Sequence, residues 1–224
     1  GARPATDFDV SNCTGGSCGR RAAYLKAASE LLIADLEEMV ANWSANGAAR
    51  AAAASDPTTG LAAILTGMGS LSYGELAGER MKLGLLVHDP EEEHDCFSDN
   101  THNSHYYDQI GMIALYTGHY KRTNGAVVSG PSLAAYASAH AAAAHADVDA
   151  TMSATRAKMQ VMKDTADSGK MAYDQMIGEG EVAGNQIIQE VVDGLVTQTR
   201  SVEKLVAALN RKINVEGSDS LDNP

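Results

Sequence analysis

The sequence has few aromatic residues and few prolines. Aromatic residues make up 5% of the 224 positions, and proline occurs five times. Strands favour aromatic and β-branched side chains, whereas Ala, Leu and Met favour helices. The composition therefore argues against a pleated-sheet protein and predicts an all-α fold built as a helical bundle. Apolar residues account for 44% of the chain, which is enough to bury a core without help from a metal ion.

Basic residues are also scarce. The chain has 17 Lys and Arg against 29 Asp and Glu, a formal net charge of −12. This charge repels phosphate backbones and anionic lipid headgroups, so we expect no nucleic-acid partner. No apolar run approaches the roughly 20 residues that cross a bilayer, so we expect no membrane insertion by this chain. Metal cations remain compatible with the charge.

Only three cysteines are present. Cys13 and Cys18 flank a Thr-Gly-Gly-Ser turn, which can bring their Cα atoms within disulfide range. The alternative is a thiolate metal pair, which lacks a second such pair nearby. We favour the disulfide, which implies the periplasm or cell exterior. Cys96 remains as a buried thiol or as the partner of a cysteine in another segment.

Hydrophobic periodicity divides the chain into three parts. Residues 1–18 lack a helical period and predict an irregular N-terminal segment. Residues 19–215 predict one helical-bundle domain, because apolar residues recur at three- and four-residue steps with only short breaks. The polar residues 216–224 predict a flexible, frayed tail.

Side chains that bind metals concentrate between residues 75 and 105. Carboxylate and imidazole suit iron, zinc and other divalent first-row metals. Asp99 precedes His102 by about one turn of a helix that is predicted to begin after Asp99, and His102 shares a face with His105. The alternative interpretation is structural: Glu91 to Glu93 suit the first turn of a helix, and histidines can be hydrogen-bonded core residues.

Two stretches of this region resemble a known family. The segment GELAGERM at 74–81 and the segment EHDCFSDNTH at 93–102 are similar to the signature of iron-regulated protein A in the imelysin peptidase family. The stretch from Cys13 to Cys18, followed by Arg20 to Leu25, is also similar to that family. The likeness covers about residues 1 to 125.

The resemblance implies a periplasmic or outer-membrane-associated bacterial protein of two helical bundles, with a metal site where they meet. The family's Gly-x-His-x-x-Glu motif is absent from this sequence. We therefore expect this chain to be the C-terminal portion. Its expected partner is the N-terminal half of the same protein, carrying that motif, either joined to it or as a separate chain.

Three functions are compatible with these observations. In the first, the chain binds a divalent metal, iron or zinc, or a small ligand in bacterial iron acquisition or handling. The predicted metal ligands are Glu79, Glu93, Asp99 and His102, with Arg80 and Glu75 orienting the ligand. In the second, the chain belongs to a metallopeptidase in which Glu79 or Glu93 is the general base. In the third, the same cluster is a hydrogen-bond network in a structural or interaction module without metal.

Overall fold

The structure is a computed structural model that describes residues 3–222. It is mostly helical, which confirms the predicted all-α class. One two-stranded antiparallel hairpin is present in addition. The chain forms two compact units, which divide between Leu61 and Ala62. The predicted bundle domain over residues 19–215 stays a prediction. No helix in the described range is long and apolar enough to cross a membrane.

The smaller unit begins with a cross-linked turn. A 3₁₀ turn covers Ala5–Phe8, and the predicted disulfide joins Cys13 to Cys18, with Cα atoms 5.7 Å apart. The Arg21 guanidinium donates a hydrogen bond of 2.9 Å to the backbone carbonyl of Asp7. The turn is thereby fixed to the start of the first helix.

Two helices complete the smaller unit. Helix α1 is Cys18–Trp43 and helix α2 is Ala48–Ser55. Helix α1 matches the predicted helix of about 25 residues. Nine of its apolar side chains are more than half exposed to solvent. They are Tyr24, Leu25, Leu31, Leu32, Ile33, Leu36, Met39, Val40 and Trp43.

A continuous helical run follows. Helix α3 is Pro57–Ser70, a π-helix covers Leu71–Lys82, and helix α4 is Leu83–Val87. We call Leu71–Lys82 the π segment. The helix continues through Gly67 and Gly69. Long π-helices are rare, and π geometry is frequent at functional sites.

The next elements lead from a helix into the hairpin. After a 3₁₀ turn at Pro90–Glu92, helix α5 is Thr101–Thr117, strand β1 is His119–Lys121 and strand β2 is Val127–Ser129. Asn100, and not Asp99, is the residue before α5, and Asp99 has a left-handed φ of 51°. Helix α5 ends at Thr117 because Gly118 adopts a left-handed conformation with φ 62°.

The remaining helices enclose the core. They are α6 Leu133–His140, α7 Ala142–Asp167, α8 Tyr173–Ile177, α9 Val182–Ala208 and α10 Asp219–Asp222. The core joins the π segment to α5, α7, α8 and α9, and its largest side chains include Leu76, Met81, Met162, Tyr173 and Leu195.

A polar network crosses this apolar core. The Gln109 amide donates to the Gln198 amide oxygen at 2.6 Å, and Gln198 donates in return at 3.2 Å. Gln198 also donates to the Ser72 hydroxyl at 3.2 Å, and that hydroxyl donates to the Leu195 carbonyl at 3.1 Å. The network connects α5, the π segment and α9.

The C-terminal residues pack against the π segment. The Ser220 hydroxyl donates to the Gly78 carbonyl at 2.9 Å, and the Tyr73 hydroxyl donates to Asp222 at 2.6 Å. A Cβ atom added at Gly78 would lie 2.1 Å from the Ser218 hydroxyl. The sequence predicted a frayed tail from 216 onward because the segment is polar. Its serine and aspartate side chains instead satisfy polar groups of the π segment.

Close packing around Gly184 predicts that a side chain added there lowers the stability of the fold. A Cβ atom there would lie 2.6 Å from the Met176 Cα, which is backbone and cannot rotate away. We expect Gly184→Ala to lower the free energy of unfolding by about 1–3 kcal/mol in urea titrations, because overpacking outweighs the gain in helix propensity.

The matched control is Gly111→Ala in α5, where an added Cβ meets no atom within 4 Å. This change is expected to raise the free energy of unfolding by about 0.5–1 kcal/mol. Equal effects of the two substitutions would contradict the packing described around Gly184.

Candidate functional site

A buried carboxylate lies next to the first turn of α5. Glu93 is only 7% exposed. The Thr101 hydroxyl donates to the Glu93 carboxylate at 3.0 Å and accepts the backbone N–H of Asp95 at 3.0 Å. The Ser104 hydroxyl donates to the Asp95 carboxylate. The segment 93–95 is therefore fixed to the helix by two side chains of its first turn.

Burial changes the acidity of Glu93. Desolvation raises the pKa of its carboxyl group, and the negative charges of Asp174, Asp99 and Asp95 raise the pKa further. The hydrogen bond from Thr101 opposes this shift. A cation beside Glu93 would stabilise its ionised form.

His102 is held by a carboxylate from α7. Its Nε2 lies 3.0 Å from the Asp167 carboxylate, and the residue is 8% exposed. An ionised carboxylate can only accept, so Nε2 carries the proton in this bond. The side-chain amide nitrogen of Asn103 also lies 3.0 Å from Nε2. That nitrogen donates its hydrogen bond to the Asn100 side-chain oxygen at 2.9 Å.

This tautomer leaves a lone pair on the other ring nitrogen of His102. Nδ1 is buried and has no hydrogen-bond partner among the described residues. Metal-binding histidines commonly have this arrangement, in which a carboxylate holds one ring nitrogen and the other one faces the ligand. The interaction of Asp167 with His102 thus prepares Nδ1 to accept a proton or a metal ion.

His105 lies one turn further along α5 and is fully buried. Burial, together with the charge of Arg80, lowers the pKa of its imidazole to about 3. The ring packs edge-to-face on Tyr173, with centroids 5.2 Å apart, and lies 6.3 Å from the His94 ring. Neither ring nitrogen has a partner among the described residues. Each such buried polar atom costs about 1–3 kcal/mol, so the position is costly for a purely structural residue.

Arg80 connects the π segment to α5. Its guanidinium donates to the Asp108 carboxylate at 3.0 Å and lies 3.7 Å from the Glu75 carboxylate. Burial raises the pKa of the Asp108 carboxyl group, and the Arg80 charge opposes this shift. Arg80 is therefore fixed between two carboxylates. A residue that orients a neighbouring group needs a fixed position of this kind.

The predicted site residues fall in four places. Glu93 and His102 lie at the start of α5, and Glu75 and Arg80 interact with each other. Glu79 accepts a hydrogen bond of 2.7 Å from Ser218 and thus belongs to the tail contact. Asp99 is exposed in the loop before α5. Across residues 3–222, no group of three or more His, Cys, Asp or Glu side chains is arranged to hold a metal ion. The predicted ligand set stays a prediction.

Sequence reasoning missed Asp167, Asp108 and Tyr173. Asp167 is 65 residues from His102, and no local pattern connects the two. Asp108 could have been found, because it follows His105 by three residues and so shares its helical face. Tyr173 lies in a short helix after a glycine break and carries no motif.

Comparison with protein families identifies the chain. The sequence profile of the imelysin family matches residues 1–202. The chain belongs to the imelysin family. The match confirms the resemblance carried by residues 74–81 and 93–102. No curated protein matches the chain.

The donor types in this imelysin-family chain suit the iron or zinc that the family resemblance implies. The His102 Nδ1 lone pair and the Glu93 carboxylate are ligands that both metals accept. The described residues do not complete a coordination shell by themselves. Any ion bound here would therefore need further ligands beyond the side chains that this arrangement supplies.

The buried His105 predicts a pH dependence of stability. Its pKa is about 3 in the folded chain against about 6.5 when unfolded, so the unfolded state binds the proton more tightly. The contribution of the neutral His105 imidazole to the free energy of unfolding is complete above pH 6.5 and is lost as the pH falls. Between pH 6 and pH 5, the wild type should lose about 1 kcal/mol more than His105→Gln in urea titrations.

The control for this experiment is His119→Gln, at an exposed position in β1. It should keep the wild-type pH dependence. If His105→Gln also kept it, the imidazole would not be buried in its neutral form.

Proposed function

We propose that this imelysin-family chain is an extracytoplasmic binding protein that contributes His102 and Glu93 to a site for iron or zinc in bacterial iron handling. The observation that carries the proposal is the His102 imidazole. Asp167 accepts from its Nε2, and its buried Nδ1 has no partner among the described residues. A ligand at Nδ1 would satisfy a polar atom whose isolation is otherwise costly.

Charge supports a cation over an anion. Glu93 is buried among the negative charges of Asp174, Asp99 and Asp95, which disfavour its ionised form. A divalent cation would reverse that effect, because it stabilises the carboxylate directly. Asp99 was predicted as a ligand. In this proposal it contributes through its charge, as an exposed residue near Glu93.

The contacts of the other predicted residues support the roles proposed for them. Arg80 and Glu75 interact at 3.7 Å, and Arg80 also binds Asp108, which supports an orienting role for this pair beside α5. Glu79 accepts a hydrogen bond from Ser218 through one carboxylate oxygen and keeps lone pairs that can hold an ion.

Binding is favoured over peptide hydrolysis. A metallopeptidase needs a carboxylate free to take a proton from water. Both carboxylates considered for this role accept a hydrogen bond, Glu79 from the Ser218 hydroxyl and Glu93 from the Thr101 hydroxyl, and each such bond makes the carboxylate a weaker base. Because the family is named as a peptidase family, the experiment must distinguish metal binding alone from peptide hydrolysis.

Two features support the location and partner in this proposal. The Cys13–Cys18 disulfide favours an oxidising compartment, and we propose the periplasm or the outer-membrane surface. The proposed partner is the helical half that carries Gly-x-His-x-x-Glu. The nine exposed apolar side chains of α1 support a helical partner, because a partner that covered them would remove their apolar surface from water, which is favourable.

The proposal predicts how substitutions change metal affinity. We expect the purified chain to bind Fe²⁺ or Zn²⁺ in titration calorimetry, and His102→Ala to weaken binding by more than tenfold because it removes a ligand. Asp167→Asn should weaken binding by about 10- to 100-fold, because the ring loses the partner that orients it.

The control is His119→Gln, which should bind as the wild type does. Circular dichroism of each variant checks that the helices are intact. Unchanged affinity in His102→Ala and Asp167→Asn would overturn the assignment of the site. Chelator-sensitive cleavage of casein by the wild type, lost in Glu93→Gln, would favour the peptidase instead.

A further inference from the structure

A second concave site lies along the middle of α5, lined by side chains other than those described above. A cleft of about 650 Å³ opens where the middle of α5 meets strand β1 and the turn that follows it. Its walls include Tyr106, Tyr107, Ile110, Tyr120, Lys121 and Arg122. Small-molecule sites in proteins commonly have about 300–1,000 Å³. The cleft is therefore large enough for a small ligand, and it contains none of the proposed metal ligands.

Three tyrosines supply the aromatic surface of the cleft. Tyr106 and Tyr107 pack edge-to-face, with ring centroids 5.3 Å apart. Tyr106 also packs against the core, so it forms a fixed wall. Tyr107 is 60% exposed and Tyr120 is 50% exposed, so both rings are open to solvent beside the cleft. Exposed rings beside a cavity are suited to stacking on a planar ligand.

The hairpin fixes the other wall. Tyr120 pairs with Val128 and Lys121 pairs with Val127 across the two strands. The Arg122 N–H donates to the Ala126 carbonyl at 2.8 Å, and the Gly125 N–H donates to the Arg122 carbonyl at 2.9 Å. Because its backbone is hydrogen-bonded at each of these positions, the wall needs little ordering when a ligand binds.

Charge selects the kind of ligand. Lys121 and Arg122 are adjacent cations in a chain whose net charge is −12. Among residues 3–222 neither side chain forms an ion pair. Lys163, in contrast, lies 5.9 Å from the centre of the Tyr106 ring and binds Asp167. Two uncompensated cations at the mouth of an aromatic cleft suit an anionic group.

We propose that the cleft between α5 and β1 binds a small planar aromatic molecule that carries a carboxylate. The ring stacks on Tyr107 and Tyr120, and the carboxylate interacts with Arg122 and Lys121. Arg122 binds it through two parallel N–H bonds, the geometry that guanidinium offers to carboxylates. The phenol hydroxyls add donors at the rim. This site is independent of the proposed metal site.

The test uses the full chain, labelled with ¹⁵N, and 2-naphthoate as the probe in NMR titrations. We expect a dissociation constant of about 1 mM or tighter, as is usual for a ligand of this size. The shifted signals should come from residues 106–123. The neutral analogue 2-naphthamide should bind at least fivefold more weakly, because it keeps the ring and loses the charge.

Substitutions locate the two halves of the interaction. The double variant Lys121→Gln with Arg122→Gln should weaken 2-naphthoate binding at least fivefold and leave the affinity for 2-naphthamide unchanged. Tyr120→Ala should weaken both ligands. Lys204→Gln, an exposed cation on α9, is the matched control and should change neither affinity. The ¹⁵N spectrum of each variant reports whether it is folded.

Four outcomes would overturn the proposal. They are no binding at 10 mM probe (about ten times the expected dissociation constant), signal shifts outside this cleft, equal affinity for 2-naphthoate and 2-naphthamide, and binding of maltose in preference to either. The last result would mean that the tyrosines stack on a neutral sugar and that the two cations play no part.

Discussion

Hydrogen bonds between Ser72, Gln109 and Gln198 determine how the larger unit is assembled. The two amides donate to each other in the interior, and the serine hydroxyl joins them to the backbone of α9. Leaving any of these groups unpaired in an apolar core costs about 1–3 kcal/mol, so α5, the π segment and α9 have one favourable register. Gln109 is also one helical turn beyond His105 and next to Asp108 in sequence. The register that satisfies the amides therefore also fixes where the histidines and Asp108 lie.

The candidate site is built from polar groups that this register buries. His105 is enclosed by Tyr173 and lies near His94 and Arg80. His102 is one turn earlier, at the boundary of the interior, where Asp167 from α7 can reach it. The same helix then exposes Tyr107 on its outer side. One helix thus carries buried imidazoles toward its beginning and an aromatic surface in its middle, and the two are separated by less than two turns.

The sequence was sufficient for the helical class, for the long helices and for the disulfide, because each depends on local spacing. Periodic apolar residues define α1 and α9, and the Cys13–Cys18 spacing defines the cross-link. The π segment could not be predicted, since its apolar positions fit an ordinary helix equally well. The hairpin carried a local signal that was not used, namely Asn124-Gly125 between Tyr120 and Val127. The candidate site was predicted only in part. Glu93 and His102 are in the expected region, but the partner of His102 is 65 residues away and the bond of Glu79 to Ser218 spans 139 residues. Contacts of that separation depend on the tertiary fold alone.

The contact of the C-terminal residues with the π segment has a consequence for the order of folding. Tyr73 and Asp222 are separated by 149 residues, and Gly78 and Ser220 by 142. Loop closure over such lengths is slow, and here it requires the last residues of the unit to be available. During synthesis, the π segment leaves the ribosome long before the residues that satisfy it. The larger unit can therefore reach its final packing only after its chain is complete, and a chain that lacks residues 216–222 would leave the Gly74–Gly78 surface open to solvent or to another polypeptide.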